Sequence, residues 1–117
     1  MSGKTVVLLT QDLMFGSKVE GMIREANAVA VLAQTPEAAL REASASQLLI
    51  VDLTADAFDG RTAVADDPVP TLGFYAHTDD ETRTAALAAG FDKVVPRSRM
   101  MREGVQIISA LIAADPS

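Results

Sequence analysis

The run Leu48-Leu49-Ile50-Val51-Asp52-Leu53 constrains the fold more than any other stretch of the chain. Four apolar residues pass without a polar break into one carboxylate. A β-strand turns successive side chains to opposite faces, so a run without alternation is covered on both faces. Strands of that kind sit in the middle of parallel sheets. In open parallel sheets the working residues gather where strands end at their carboxyl edge. Asp52 is therefore expected to be a carboxylate delivered to a functional edge.

The rest of the chain supplies the neighbours such a strand needs. Thr5–Leu9 reads as a first buried strand, followed by the polar edge Thr10-Gln11-Asp12. Phe15, Val19, Met22, Ile23 and Ala26 fall at helical spacing over Phe15–Ala26, with Asn27 as a stop. Ala28–Ala33 is a second strand. Thr35-Pro36-Glu37 opens a helix, with a Thr cap, Pro in the first helical position and acid in the first turn; that helix ends near Ser46. After Leu48–Leu53, Gly60 and Asp66-Asp67 mark a loop with at most a short helix around Arg61–Ala65. Thr71–Ala76 is a fourth strand. Thr78 caps a helix over Asp79–Ala89, and Gly90 ends it. Lys93–Val95 is a fifth strand closed by Pro96, and the last helix spans Arg99–Ala113. Strand then helix, repeated with right-handed crossovers, predicts a doubly wound, five-stranded parallel sheet in a three-layer α/β/α arrangement. No linker or repeat interrupts residues 1–117, so one domain is expected.

Composition narrows the function classes. Lys plus Arg is 10 against 16 Asp plus Glu, a net charge of −6, and aromatics are 4%. Nucleic-acid binding is not expected, because phosphate contacts need a basic stripe. The absence of Cys removes disulfides, thiolate metal sites and cysteine nucleophiles, and with a single His, His77, a zinc site is not expected. No apolar run approaches the roughly 20 residues of a membrane span. Met1-Ser2-Gly3-Lys4 leads straight into a strand, so a cytoplasmic protein is expected.

Several strings in this order carry a resemblance. They are Leu49-Ile50-Val51-Asp52, Ala33-Gln34-Thr35-Pro36-Glu37-Ala38-Ala39-Leu40, Ala85-Ala86-Leu87-Ala88-Ala89-Gly90-Phe91-Asp92 and Val94-Val95-Pro96-Arg97. Together they resemble the receiver domain of two-component response regulators, with its flavodoxin-like (CheY-like) fold. The likeness extends over nearly the whole chain. It implies that Asp52 stands at the phosphoacceptor position and that the third helix is shortened, since Asp52 and Tyr75 are closer in sequence than the family pattern has them.

The resemblance also exposes departures. Phosphoryl transfer is positioning plus charge neutralisation, and Mg²⁺ for that purpose wants carboxylate oxygens. The family's acidic pair at the end of the first strand falls here on Thr10 and Gln11, neither of them charged. Asp12, one position later, is either a remnant of that pocket or a residue before the first helix. The switch hydroxyl falls on Tyr75 and the fifth-strand Lys on Arg97, whose flat fork is not equivalent to a point charge. Without metal, Arg97 is expected to pair with Asp52.

The favoured reading is a stand-alone pseudo-receiver that signals by protein contact, with no catalytic residue, metal or cofactor. Its partner would be another signalling protein or a second copy. The resemblance implies a contact face on the last two helices and the strand between them, carrying Arg83, Leu87, Lys93, Arg99 and Arg102. One alternative is a working phosphoacceptor using Asp52 and Mg²⁺. Another is a small nucleotide-binding protein or enzyme on the same fold, although no Gly-rich phosphate loop follows the first strand.

Overall fold

A computed structural model describes residues 4–53, 69–75 and 80–113. Within them strands and helices alternate as β1 (Thr5–Leu9), α1 (Leu13–Glu25), β2 (Val29–Ala33), α2 (Pro36–Ala43), β3 (Leu48–Asp52), β4 (Thr71–Tyr75), α3 (Asp80–Ala88), β5 (Lys93–Pro96) and α4 (Arg97–Ala113). All five strands are parallel, in the order β2-β1-β3-β4-β5. The order reverses direction after β1, as a doubly wound sheet requires, and β3 lies at its centre. Every residue of β3 and β4 is buried. The CheY-like flavodoxin fold expected from the sequence is the fold observed. The short helix expected around Arg61–Ala65 lies outside the described residues, as do His77 and the Thr78 cap.

The core divides by strand parity. Val6, Leu8, Leu48, Ile50, Leu72, Phe74 and Val95 pack with Phe15, Val19 and Ile23 of α1 and with Met100, Ile107, Ile108 and Ile112 of α4. Val7, Leu9, Leu49, Val51, Tyr75 and Val94 pack with Ala39 and Ala43 of α2, Ala86 of α3 and Phe91. Thus α1 and α4 cover one face and α2 and α3 the other. Burying one Leu or Ile side chain of β3 contributes about 1.5–3 kcal/mol, which explains why the run admits no polar residue before its end.

Local chemistry sets the element ends. Thr35 Oγ1 accepts from the Ala38 N–H at 3.2 Å, and Pro36 follows it. Asn27 (φ 64°) and Gly90 (φ 108°) adopt the left-handed conformation that stops α1 and α3. Three boundaries differ from expectation by two residues or more. α1 begins at Leu13, because Asp12 caps it. α4 begins at Arg97, directly after Pro96 closes β5, instead of at Arg99. α2 ends at Ala43, short of Ser46, because the Ser46 N–H and hydroxyl both donate to the Ala43 carbonyl, at 3.0 and 2.9 Å, and turn the chain toward β3.

Two contacts fix β4 between its neighbours. The Thr71 N–H donates to Asp92 Oδ2 at 2.8 Å, and the Asp92 N–H donates to the Thr71 carbonyl at 3.0 Å. At Gly73 the absent side chain makes room for Phe91, since a Cβ there would lie 3.0 Å from the ring and 2.7 Å from Leu53 Cδ1. Among the described residues no helix is long and apolar enough to cross a membrane.

Candidate functional site

The carboxyl edge of the sheet brings together residues far apart in sequence. Leu9 lies beside Val51 in the parallel register, so Thr10 and Asp52 follow at neighbouring positions on the edge. Both share the parity of Leu8 and Ile50, which places them on the α1/α4 side. Arg97, the first residue of α4, lies on the same side, over Phe15 of α1. Burial of Thr10 is complete, and Asp52 is 2% exposed.

A chain of hydrogen bonds links them. Thr10 Oγ1 donates to Asp52 Oδ2 at 2.7 Å and accepts from the Asp12 N–H at 3.1 Å. A hydroxyl has one proton, and here it is committed to Asp52. Asp12 is engaged through both carboxylate oxygens. Its Oδ1 caps α1 by accepting from the Phe15 N–H at 3.0 Å, and its Oδ2 accepts from Arg97 Nη2 at 2.7 Å. The guanidinium carbon of Arg97 also lies 4.0 Å above the centre of the Phe15 ring, a cation–π contact. Phe15 in turn meets Phe74 of β4, with ring centroids 4.8 Å apart and tilted by 52°.

These contacts hold the Asp12 carboxyl below its ordinary range. The largest cause is the backbone hydrogen bond from Phe15; the Arg97 hydrogen bond follows, desolvation opposes, and the Arg97 charge and the Met14 N–H add to the lowering. Since both Asp12 and Arg97 are more than a third exposed, water screens the pair and its net contribution is small.

The structure corrects the expected Asp52–Arg97 ion pair. Arg97 projects from the first position of α4 onto α1's cap, while a neutral hydroxyl meets Asp52. Asp12 is thus the N-cap of α1 and also a member of the hydrogen-bonded edge cluster. Its position immediately before an apolar periodic run was the sequence signal for the cap. Gln11 sits outside the cluster, exposed, with its amide donating to the Gln34 carbonyl at 3.3 Å. Tyr75 is buried on the opposite face of the sheet, packed with the α2/α3 core. Sequence reasoning missed Phe15 and Phe74, which have no signal beyond their apolar spacing.

Asp12 and Asp52 are the carboxylates of this hydrogen-bonded cluster. Among the described residues no group of three His, Cys, Asp or Glu is placed to hold a metal ion.

The residues expected to form a contact face are spread along α3, β5 and α4. Arg83 is exposed on α3, and Leu87 is 41% exposed. Lys93 opens β5 at the amino edge, while Arg99 and Arg102 lie in the first two turns of α4, which starts at the carboxyl edge. Both arginines converge on Glu103, at 3.4 and 3.7 Å, so their charge is partly neutralised. Met100 is fully buried, and Met101 faces solvent.

No protein-family model matches the sequence, and no curated protein does. Solved structures do match. A putative response regulator from Chloroflexus aurantiacus superposes with a TM-score of 0.83 at 21% identity, covering 96% of this chain and 99% of that one. The signal receiver domain of the putative response regulator NarL from Mycobacterium tuberculosis gives 0.81 at 20% identity, over 97% and 99%. The receiver domain of the sensor histidine kinase PA1611 from Pseudomonas aeruginosa, with a magnesium ion in its active-site cleft, gives 0.80 at 19% identity, over 97% and 100%. The likeness is one of fold: the chain has the architecture of response-regulator receiver domains over nearly its full length.

Proposed function

We propose that the chain is a pseudo-receiver, a signalling module that works by protein contact and not by Mg²⁺-dependent phosphorylation of Asp52. One observation carries the reading: the hydrogen-bonded edge in which Thr10 donates to Asp52 and Arg97 occupies Asp12. Mg²⁺ demands near-octahedral oxygen donors, with carboxylates supplying the charge. The described residues do not fit it. Thr10 and Gln11 are neutral, both oxygens of Asp12 are engaged, and the cation nearest Asp12 is already Arg97. Phosphoryl transfer also needs its developing charge neutralised at the acceptor, and here the guanidinium is turned toward α1.

In this reading Asp52 is a structural acceptor at the end of β3, and no residue of the edge is catalytic. The module takes no cofactor. Contact with another signalling protein is assigned to α3, β5 and the start of α4, where Leu87 is the apolar centre and Arg83 and Lys93 are the basic rim. The acidic balance of the chain favours a protein partner over nucleic acid.

The test is backbone-amide NMR of the intact chain with Mg²⁺ and beryllofluoride, a phosphoryl mimic. The expected result is no specific shift at Thr10, Asp52 or Arg97. Saturable shifts confined to those residues would overturn the reading and make Asp52 a working phosphoacceptor.

A further inference from the structure

Among the described residues the sheet ends in two edge strands, β2 and β5. β2 is the outer strand beside β1. Its ladder to β1 uses alternate residues: the Val29 N–H donates to the Lys4 carbonyl at 2.9 Å, and the Ala33 carbonyl accepts from the Thr10 N–H at 3.1 Å. By the same alternation the backbone groups of Ala30 and Leu32 point away from the sheet. Soluble proteins ordinarily blunt such an edge with a charge, a proline or a bulge. Residues 28–33 contain neither a charged residue nor a proline. Two large apolar side chains stand exposed along this edge, Val29 at 57% and Leu32 at 39%.

The geometry points to an antiparallel β2–β2 pairing across a two-fold axis, which joins two five-stranded sheets into one. The outward groups fix the register. Ala30 and Leu32 of one copy exchange hydrogen bonds with Leu32 and Ala30 of the other, and Val31 faces its own copy at the axis. Directly opposed residues in an antiparallel pair share a face of the sheet. Leu32 therefore lies over Ala30 of the other copy on the α1 side, and Val29 over Ala33 on the α2 side. Each exposed large residue meets an alanine, so the edge is complementary to itself in size as well as in hydrogen bonding. A charge near a two-fold axis meets its own like, and this strand brings none, although the whole chain carries −6. A strand of this length with its flanking helix surfaces covers on the order of 1,000 Å² in total, the lower end of specific interfaces, so the dimer is reversible.

Sedimentation velocity of the full chain over a rising concentration series tests this, together with hydrogen exchange of single amides. The expected result is a monomer–dimer equilibrium with the Ala30 and Leu32 amides exchanging more slowly as the dimer fills. Replacing both Val29→Lys and Leu32→Lys, each exposed in the monomer, weakens the dimer by about a hundredfold. Ala30→Pro removes an outward N–H and spares the β1 ladder, so it abolishes pairing while circular dichroism stays native. A monomer at every concentration overturns the inference, as does a dimer indifferent to these changes or one lost on Leu87→Glu. Protection of the two amides only on adding an extended peptide of foreign sequence overturns it too, by giving the edge a different occupant.

Discussion

Replacing Thr10 by Val removes one hydroxyl and leaves almost the same shape. Thr10 is fully buried, and its hydroxyl makes two hydrogen bonds, to Asp52 Oδ2 at 2.7 Å and from the Asp12 N–H at 3.1 Å. A hydrogen bond to a carboxyl group is worth about 1.5–3 kcal/mol and a backbone one about 1 kcal/mol. The new methyl offsets less than about 1 kcal/mol of that loss. The net expectation is about 2–3 kcal/mol of lost stability, or roughly 8–15 °C in Tm for a domain of this size. Urea denaturation with linear extrapolation measures the loss directly. A double-mutant cycle with Asp52→Ala then assigns it: if the hydroxyl acts through Asp52, the two losses couple by about 1 kcal/mol or more. A Thr10→Val loss below about 0.5 kcal/mol, or losses that simply add, would refute the claim that this bond organises the edge. Thr10→Ser keeps the donor and should retain most of the coupling.

Three further outcomes are expected. Gly73→Ala forces a methyl against the Phe91 ring and Leu53 in a central strand and should cost about 1–3 kcal/mol by urea denaturation; a neutral result would mean that Phe91 moves freely. The folded carboxyl of Asp12 titrates below its ordinary value of 3.8, so its stabilising contribution is fully present above that range and is lost as pH falls through the lowered value; Asp12→Asn should flatten the acid limb of the stability–pH curve, while Asp12→Ala should also lower Tm near neutrality through loss of the helix cap. Leu87→Glu should leave stability within about 0.5 kcal/mol and weaken binding to the signalling partner; a large fall in Tm would place Leu87 in the core instead.

Much of the fold was legible because its strands are solid apolar runs and its helices carry local punctuation. Thr35-Pro36, Asn27 and Gly90 end or begin elements where their backbone preferences say they should. The misses came from residues that serve two purposes. Asp12 reads as a polar loop residue until its carboxylate is seen capping α1 and holding Arg97 together. Arg97 reads as a loop residue because proline so often closes an element, yet the helix starts on the next residue. The site was legible only in part. Sequence placed Thr10, Asp52 and Arg97 at one edge, but which of them touch depends on register and parity. Leu9 beside Val51 sets Thr10 on Asp52, and the start of α4 aims Arg97 at α1. Tyr75 falls one residue out of that phase, and a single step along a strand moves a side chain to the opposite core.

β5 passes into α4 without a connecting residue, Pro96 ending one and Arg97 beginning the other. A junction of this kind has no slack in its length. One inserted residue would rotate the whole of α4 by about 100° against the sheet. Met100, Ile108 and Ile112 would swing out of the core, and Arg97 would leave Asp12. Residues can be exchanged at this corner, but none can be added or removed, so its spacing should hold in any lineage that keeps the fold. Length variation among related chains is then confined to connections that do not position a helix so tightly.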